Sequence, residues 1–66
     1  MTIIDYLKIL TPKTNVSIFL RKDNKNHMIA ATTADILLQS TKEGFRNLNV
    51  VDGVYLTEGV VVIVEE

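Results

Sequence analysis

The chain has one histidine, His27, and it stands beside a run of charged and amide side chains, Arg21-Lys22-Asp23-Asn24-Lys25-Asn26. A His–Ser or His–Asp relay would have to recruit Ser17, Ser40 or Asp23, and no nucleophile elbow or fixed spacing brings any of them to it. With no second His and no Cys, there is no ligand set for a tetrahedral metal site. The carboxylates Asp52, Glu58, Glu65 and Glu66 fall in turn-forming sequence and at the end of the chain. A general acid/base pair needs a cleft, which so short a chain scarcely forms. The three glycines, Gly44, Gly53 and Gly59, are in neither GxxxxGK nor GxGxxG spacing, so no phosphate-cradling loop is present. The expectation is a chain that is not an enzyme, with no cofactor, no metal and no small-molecule substrate, in which His27 is a surface residue.

Binding chemistry is better represented. The run from Arg21 to His27 carries three bases and one acid, and its hydrogen-bonding side chains suit phosphates or an acidic protein surface. Candidate partner-binding residues are Arg21, Lys22, Lys25 and His27, with Arg46 further along. A nucleic-acid-binding module is one reading, with Phe19 or Tyr55 stacking on bases. Against it stand a pI of 5.7 and four scattered aromatics, Tyr6, Phe19, Phe45 and Tyr55. The net charge is −1, unevenly distributed. Residues 1–42 hold six bases against three acids, and residues 43–66 hold Arg46 against five acids; this is either solvated surface or a polar molecule whose two ends attract each other in a dimer.

The elements that would position these residues can be read from periodicity. Residues 2–10 form a helix: Thr2 caps it, Asp5 completes a capping box, and Ile3, Leu7 and Leu10 make the buried stripe. Thr11-Pro12 stops it. Residues 14–21 alternate, with Val16, Ile18 and Leu20 on one face and Ser17, Phe19 and Arg21 on the other, as in a strand. Asp23 to Asn26 is turn chemistry, and His27 to Thr32 is the returning strand. Residues 33–41 form a second short helix, opened by Thr32 with Asp35 and ended by Gly44 as a left-handed cap. Two turn signals follow, Asp52-Gly53 and Glu58-Gly59. Glu58-Gly59 leaves strands of useful length on both sides, about 47–57 and 60–65, with Gly53 as a bulge. The order is α-β-β-α-β-β. The expected fold is one α+β domain over residues 1–66, a four-stranded antiparallel sheet with two short helices on one face.

The last strand breaks the alternation. Val60-Val61-Val62-Ile63-Val64 is apolar on both faces, whereas a strand with one wet face alternates apolar with polar. If Val61 and Ile63 face the helices, then Val60, Val62 and Val64 join Phe19 and Tyr55 on the second face; in the opposite phase two apolar residues still point outward. Either way an apolar patch results, and such patches on small proteins mark interfaces. A domain of 66 residues has a marginal core, and without Cys it has no disulfide to staple it. Self-association as a homodimer through Val60, Val62, Val64, Phe19 and Tyr55 is therefore expected.

The longest apolar run is five residues, against about 20 for a membrane span, and the first residues lack the character of a signal peptide. These features lead to the expectation of a cytoplasmic protein without membrane contact. The stretches Thr2-Ile3-Ile4-Asp5-Tyr6-Leu7-Lys8-Ile9-Leu10 and Thr14-Asn15-Val16-Ser17-Ile18, the polar turn, the short helix and the closing Val-rich hairpin resemble small proteins of phages, prophages and other mobile elements of Gram-positive bacteria. That resemblance is one of pattern over nearly the whole chain and transfers no functional residue. It implies a bacterial host cell and a binding protein, with inhibition of a host-defence nuclease, as by anti-CRISPR proteins, among the activities of such chains. The sequence reading is thus a non-enzymatic protein-binding domain. The alternatives are a nucleic-acid module using the basic hairpin and the sheet, or an accessory structural subunit.

Overall fold

In a computed structural model that describes all of residues 1–66, the elements run α1 (Ile3–Ile9), β1 (Asn15–Lys22), β2 (Lys25–Thr33), α2 (Ala34–Leu38), α3 (Glu43–Arg46), β3 (Asn49–Leu56) and β4 (Gly59–Glu65). The fold is α+β, with one four-stranded sheet in the order β2-β1-β4-β3 and three short helices.

Helix α1 starts where the capping box places it. The Asp5 amide donates to the Thr2 hydroxyl at 3.3 Å, and the Thr2 amide donates to the Asp5 carboxylate at 3.2 Å. The β1–β2 turn is tighter than the four-residue turn expected. Only Asp23 and Asn24 lie outside the strands, with φ of 54° and 62°, the pair of left-handed residues that a two-residue hairpin of the right twist requires. The β3–β4 turn consists of Thr57 and Glu58, and Gly59 enters β4 at φ 151°. A side chain at Gly59 would meet the Asn15 backbone and approach the Asn15 Cβ to 3.0 Å, so glycine is required there twice over.

The sheet is mixed, which corrects the fully antiparallel expectation. The two hairpins meet along β1 and β4, and these run parallel, with Val16 beside Val60, Ile18 beside Val62 and Leu20 beside Val64. The cause is the stretch 34–48 with its two helices. It carries the chain from the end of β2 back to the end of the sheet where β2 starts, so that β3 begins at that end on the opposite edge, and a return of about a dozen residues is what a parallel arrangement needs. The single helix expected over 33–41 is accordingly split. Helix α2 ends at Leu38, and Gly44 lies inside α3 rather than capping α2. Thr33, not Thr32, precedes the first residue of α2.

The helices cover one face. Ile3, Ile4 and Leu7 of α1, Ala34 and Leu37 of α2, and Leu48 pack with Val16, Ile18, Val60, Val62 and Val64 in one core cluster. No polar side chain is buried. Tyr6 lies over Gly53, which is within β3 and is neither a turn nor a bulge; a Cβ there would stand 2.9 Å from the Tyr6 Cζ. The β3 bulge is at Val51. A second bulge, at Ile29 and Ala30 opposite Ile18, interrupts β2, so each edge strand carries one.

Candidate interaction surface

The sheet's other face is built by register. Two central rows cross all four strands. One is Met28, Phe19, Ile63 and Asp52; the other is Ala31, Ser17, Val61 and Val54. Polar rows frame them: Arg21 with Asn26 on one side and Asn15 with Thr33 on the other, continued on β4 and β3 by Glu65 and Asn49 beside Arg21. Phe19, Val61 and Ile63 are half-buried against their neighbours, whereas Met28 and Val54 are exposed at 57% and 45%. The buried residues of α1 and α2 all belong to the core cluster on the opposite face, and none packs on these rows. The two rows are apolar except for Ser17 and Asp52.

The phase of β4 decides which valines take part. Val60, Val62 and Val64 are 4%, 0% and 0% exposed and belong to the core, which corrects their expected place in a self-association surface. The reason is registry with β1: Val16 and Ile18 already face the helices, and their parallel neighbours Val60 and Val62 must point the same way. Phe19 is on the open face as expected. Tyr55 is not: it pairs with Val60 on the helix side, stands 65% exposed, and has its side chain near Tyr6. Val61 and Ile63 replace the three valines. Sequence alternation contained both phases, and only the pairing with β1 selects one.

The basic residues do not form one site. Arg21, Lys22, Lys25 and His27 are exposed at the β1–β2 tip, and the Arg21 Nε donates to the Asn26 Oδ1 at 3.4 Å. The parallel pairing brings the acidic end of β4 alongside, so that Arg21, Lys22, Glu65 and Glu66 line one shallow hollow. The opposite charges of the two halves thus meet within the chain. Arg46 is elsewhere and already engaged, donating from Nη1 to the Ser40 carbonyl at 2.8 Å and holding the α2–α3 loop.

Three ionisations are displaced, each by local bonding. The Asp35 carboxyl is lowered to about 2 by the Thr33 hydroxyl and by Lys13, whose Nζ stands 2.9 Å away. The backbone amide and hydroxyl of Thr2 hold Asp5 below the usual carboxylate value. Burial, and then the neighbouring Tyr55 side chain, push Tyr6 up to about 12. Each of these groups braces a helix start or a helix–sheet contact. No three His, Cys, Asp or Glu side chains cluster as metal ligands, and no helix is long and apolar enough to cross a membrane.

No family model, curated protein or solved structure matches this chain.

Proposed function

We propose that this chain is a non-enzymatic protein-binding domain, and that it acts by laying the open face of its sheet on a partner protein. The observation that carries this reading is the pair of rows with Phe19, Met28, Val54, Val61 and Ile63 at their centre and none of the buried residues of α1 and α2 packed on them. Covering the remaining exposed apolar area of this face would stabilise a complex at about 25 cal/mol per Å² before the costs of association. The resemblance in pattern to mobile-element proteins directs the search for that partner to a bacterial lysate and to host-defence nucleases such as CRISPR effectors, which such a domain would inhibit by covering a working surface.

The test is affinity capture on immobilised protein, comparing the wild type with Ile63→Lys and Phe19→Lys after circular dichroism has established that both variants are folded. A protein held by the wild type and lost by both variants supports the reading. Equal capture by all three, or none by any, overturns it. Nucleic-acid binding is separated by titrating single-stranded DNA at low salt. Contacts from Lys22 and Lys25 would give a log-log salt slope of about −0.7 per phosphate and would vanish in Lys22→Glu/Lys25→Glu.

A further inference from the structure

The two edges of the sheet are finished differently. Along β3 the first half of the outer edge is covered: the Val50 amide donates to the Met1 carbonyl at 2.9 Å, Thr2 bridges Asn49, and the Gly53 amide donates to the Asp52 carboxylate at 2.8 Å. Along β2 nothing comparable exists. No backbone group of residues 25–33 bonds outside the ladder it forms with β1. The strand is nine residues long, has no Pro and no acid, and carries Met28 and Ile29 exposed at its centre. Edges of this length are ordinarily blunted by charge, proline, bulges or covering segments, and of these β2 has only Lys25 at its start and the bulge at Ile29.

The ladder dictates which β2 groups point outward. In an antiparallel pair, residues that exchange bonds alternate with residues whose amide and carbonyl point away. The bond from the Ala34 amide to the Thr14 carbonyl (2.9 Å) sets the phase at one end, and the two-residue turn sets it at the other. Outward groups therefore belong to Asn26, Met28, Ala31 and Thr33, the bulge at Ile29 and Ala30 adding one residue between the second and the third. That set is symmetric about the bulge. Laid antiparallel on a second copy, Asn26 meets Thr33, Met28 meets Ala31, and the same two pairs recur across the axis.

We infer that β2 is a self-pairing edge, on which a second copy of this chain docks by antiparallel strand addition about a two-fold axis through the Ile29–Ala30 bulge. Four matched pairs exchange about eight backbone hydrogen bonds. The bulge fixes the register: it sets Met28 and Ala31 three residues apart on each strand, and the two copies match because both carry it at the same place. No like charges oppose each other. Lys25 falls opposite Ala34 of the second copy and next to its Asp35, and His27 falls opposite Thr32. The contact is isologous and uses the β2 edge of both chains, so it ends at two chains. The product is one eight-stranded sheet whose two open faces lie on the same side. This inference concerns the edge and stands apart from the face proposed above.

The test is light scattering after size exclusion over a dilution series. The wild type is expected to run at about twice the 7.4 kDa chain mass and to fall toward one chain on dilution. Met28→Pro and Ala31→Pro each remove an outward donor while sparing the ladder with β1, and are expected to give single chains with unchanged circular dichroism. The register is tested by charge. Met28→Lys/Ala31→Lys sets lysines against each other at both pairs and abolishes the dimer, whereas Met28→Glu/Ala31→Lys restores it. A wild-type mass of one chain at every concentration overturns the inference. So does a dimer that survives both proline and both charge variants, or one lost in Ile63→Lys and kept in the edge variants, which would assign the association to the face.

Discussion

Val62 and Ile63 are adjacent in sequence and nearly alike in chemistry, yet lysine at the two positions is expected to have opposite outcomes. Val62 is fully buried between Ile18 of β1 and Gly53 of β3, facing the helices. Replacing it with Lys forfeits about 1.5–3 kcal/mol of side-chain burial. It also obliges an ammonium group to enter a core with no buried polar partner, at several kcal/mol after relaxation. A domain of 66 residues has a total stability of about 3–10 kcal/mol at the usual 0.05–0.15 kcal/mol per residue, so Val62→Lys unfolds the chain. Ile63 is half-buried on the open face, between Phe19 and Asp52. A lysine there lays its stem along Phe19 and reaches water near the Asp52 carboxylate, so Ile63→Lys costs about 1 kcal/mol or less. Urea unfolding followed by far-UV circular dichroism reads both directly: no folded baseline for Val62→Lys, and for Ile63→Lys a small fall in midpoint at unchanged slope. A folded Val62→Lys beside an unfolded Ile63→Lys would mean that β4 has the opposite phase. The core, the open face and the β1–β4 pairing as described would then all be wrong.

The Tyr6–Gly53 contact gives a second expectation: Gly53→Ala pushes a methyl group into the Tyr6 ring and lowers the urea midpoint by about 1–3 kcal/mol equivalent, while Gly53→Ala/Tyr6→Ala recovers part of that loss. Tyr6 also sets an alkaline limit. Its value is raised from 10 to about 12 in the folded chain, so its contribution is complete below pH 10 and is lost as pH rises from 10 through about 12. In Tyr6→Phe that part of the pH dependence disappears from the thermal midpoint. Asp35 acts in the other direction. Lowered from 3.8 to about 2, it supports the fold above pH 4 and ceases to do so as pH falls through about 2, and Asp35→Asn flattens the acid limb of the stability profile.

Local chemistry was legible in the sequence wherever one side chain settles one piece of backbone. Thr2 and Asp5 declare the start of α1, Pro12 its end, and the run Asp23 to Asn26 a turn, though not that only Asp23 and Asn24 form it, because each effect acts over three or four residues and needs no partner. The alternation of Val16, Ile18 and Leu20 determined the buried face of β1 in the same way. An apolar second face also followed from the sequence, since five consecutive apolar residues in β4 cannot all point one way. Which of them point outward did not follow. Val60 to Val64 read alike in both phases, and only the parallel neighbourhood of β1 turns Val60, Val62 and Val64 inward and leaves Val61 and Ile63 with Phe19. The parallel pairing has the same origin. The stretch 34–48 states its helical character locally, but whether it turns back at once or climbs the length of the sheet is decided by where its apolar residues, Leu37 and Leu48 among them, can be buried together with α1. Tyr55 and Arg46 were placed by tertiary contacts alone, the one against Tyr6 and the other against the Ser40 carbonyl. The outward groups of β2 belong to the same class. Which residues they are depends on a bulge, and a bulge is a property of two paired strands rather than of either sequence.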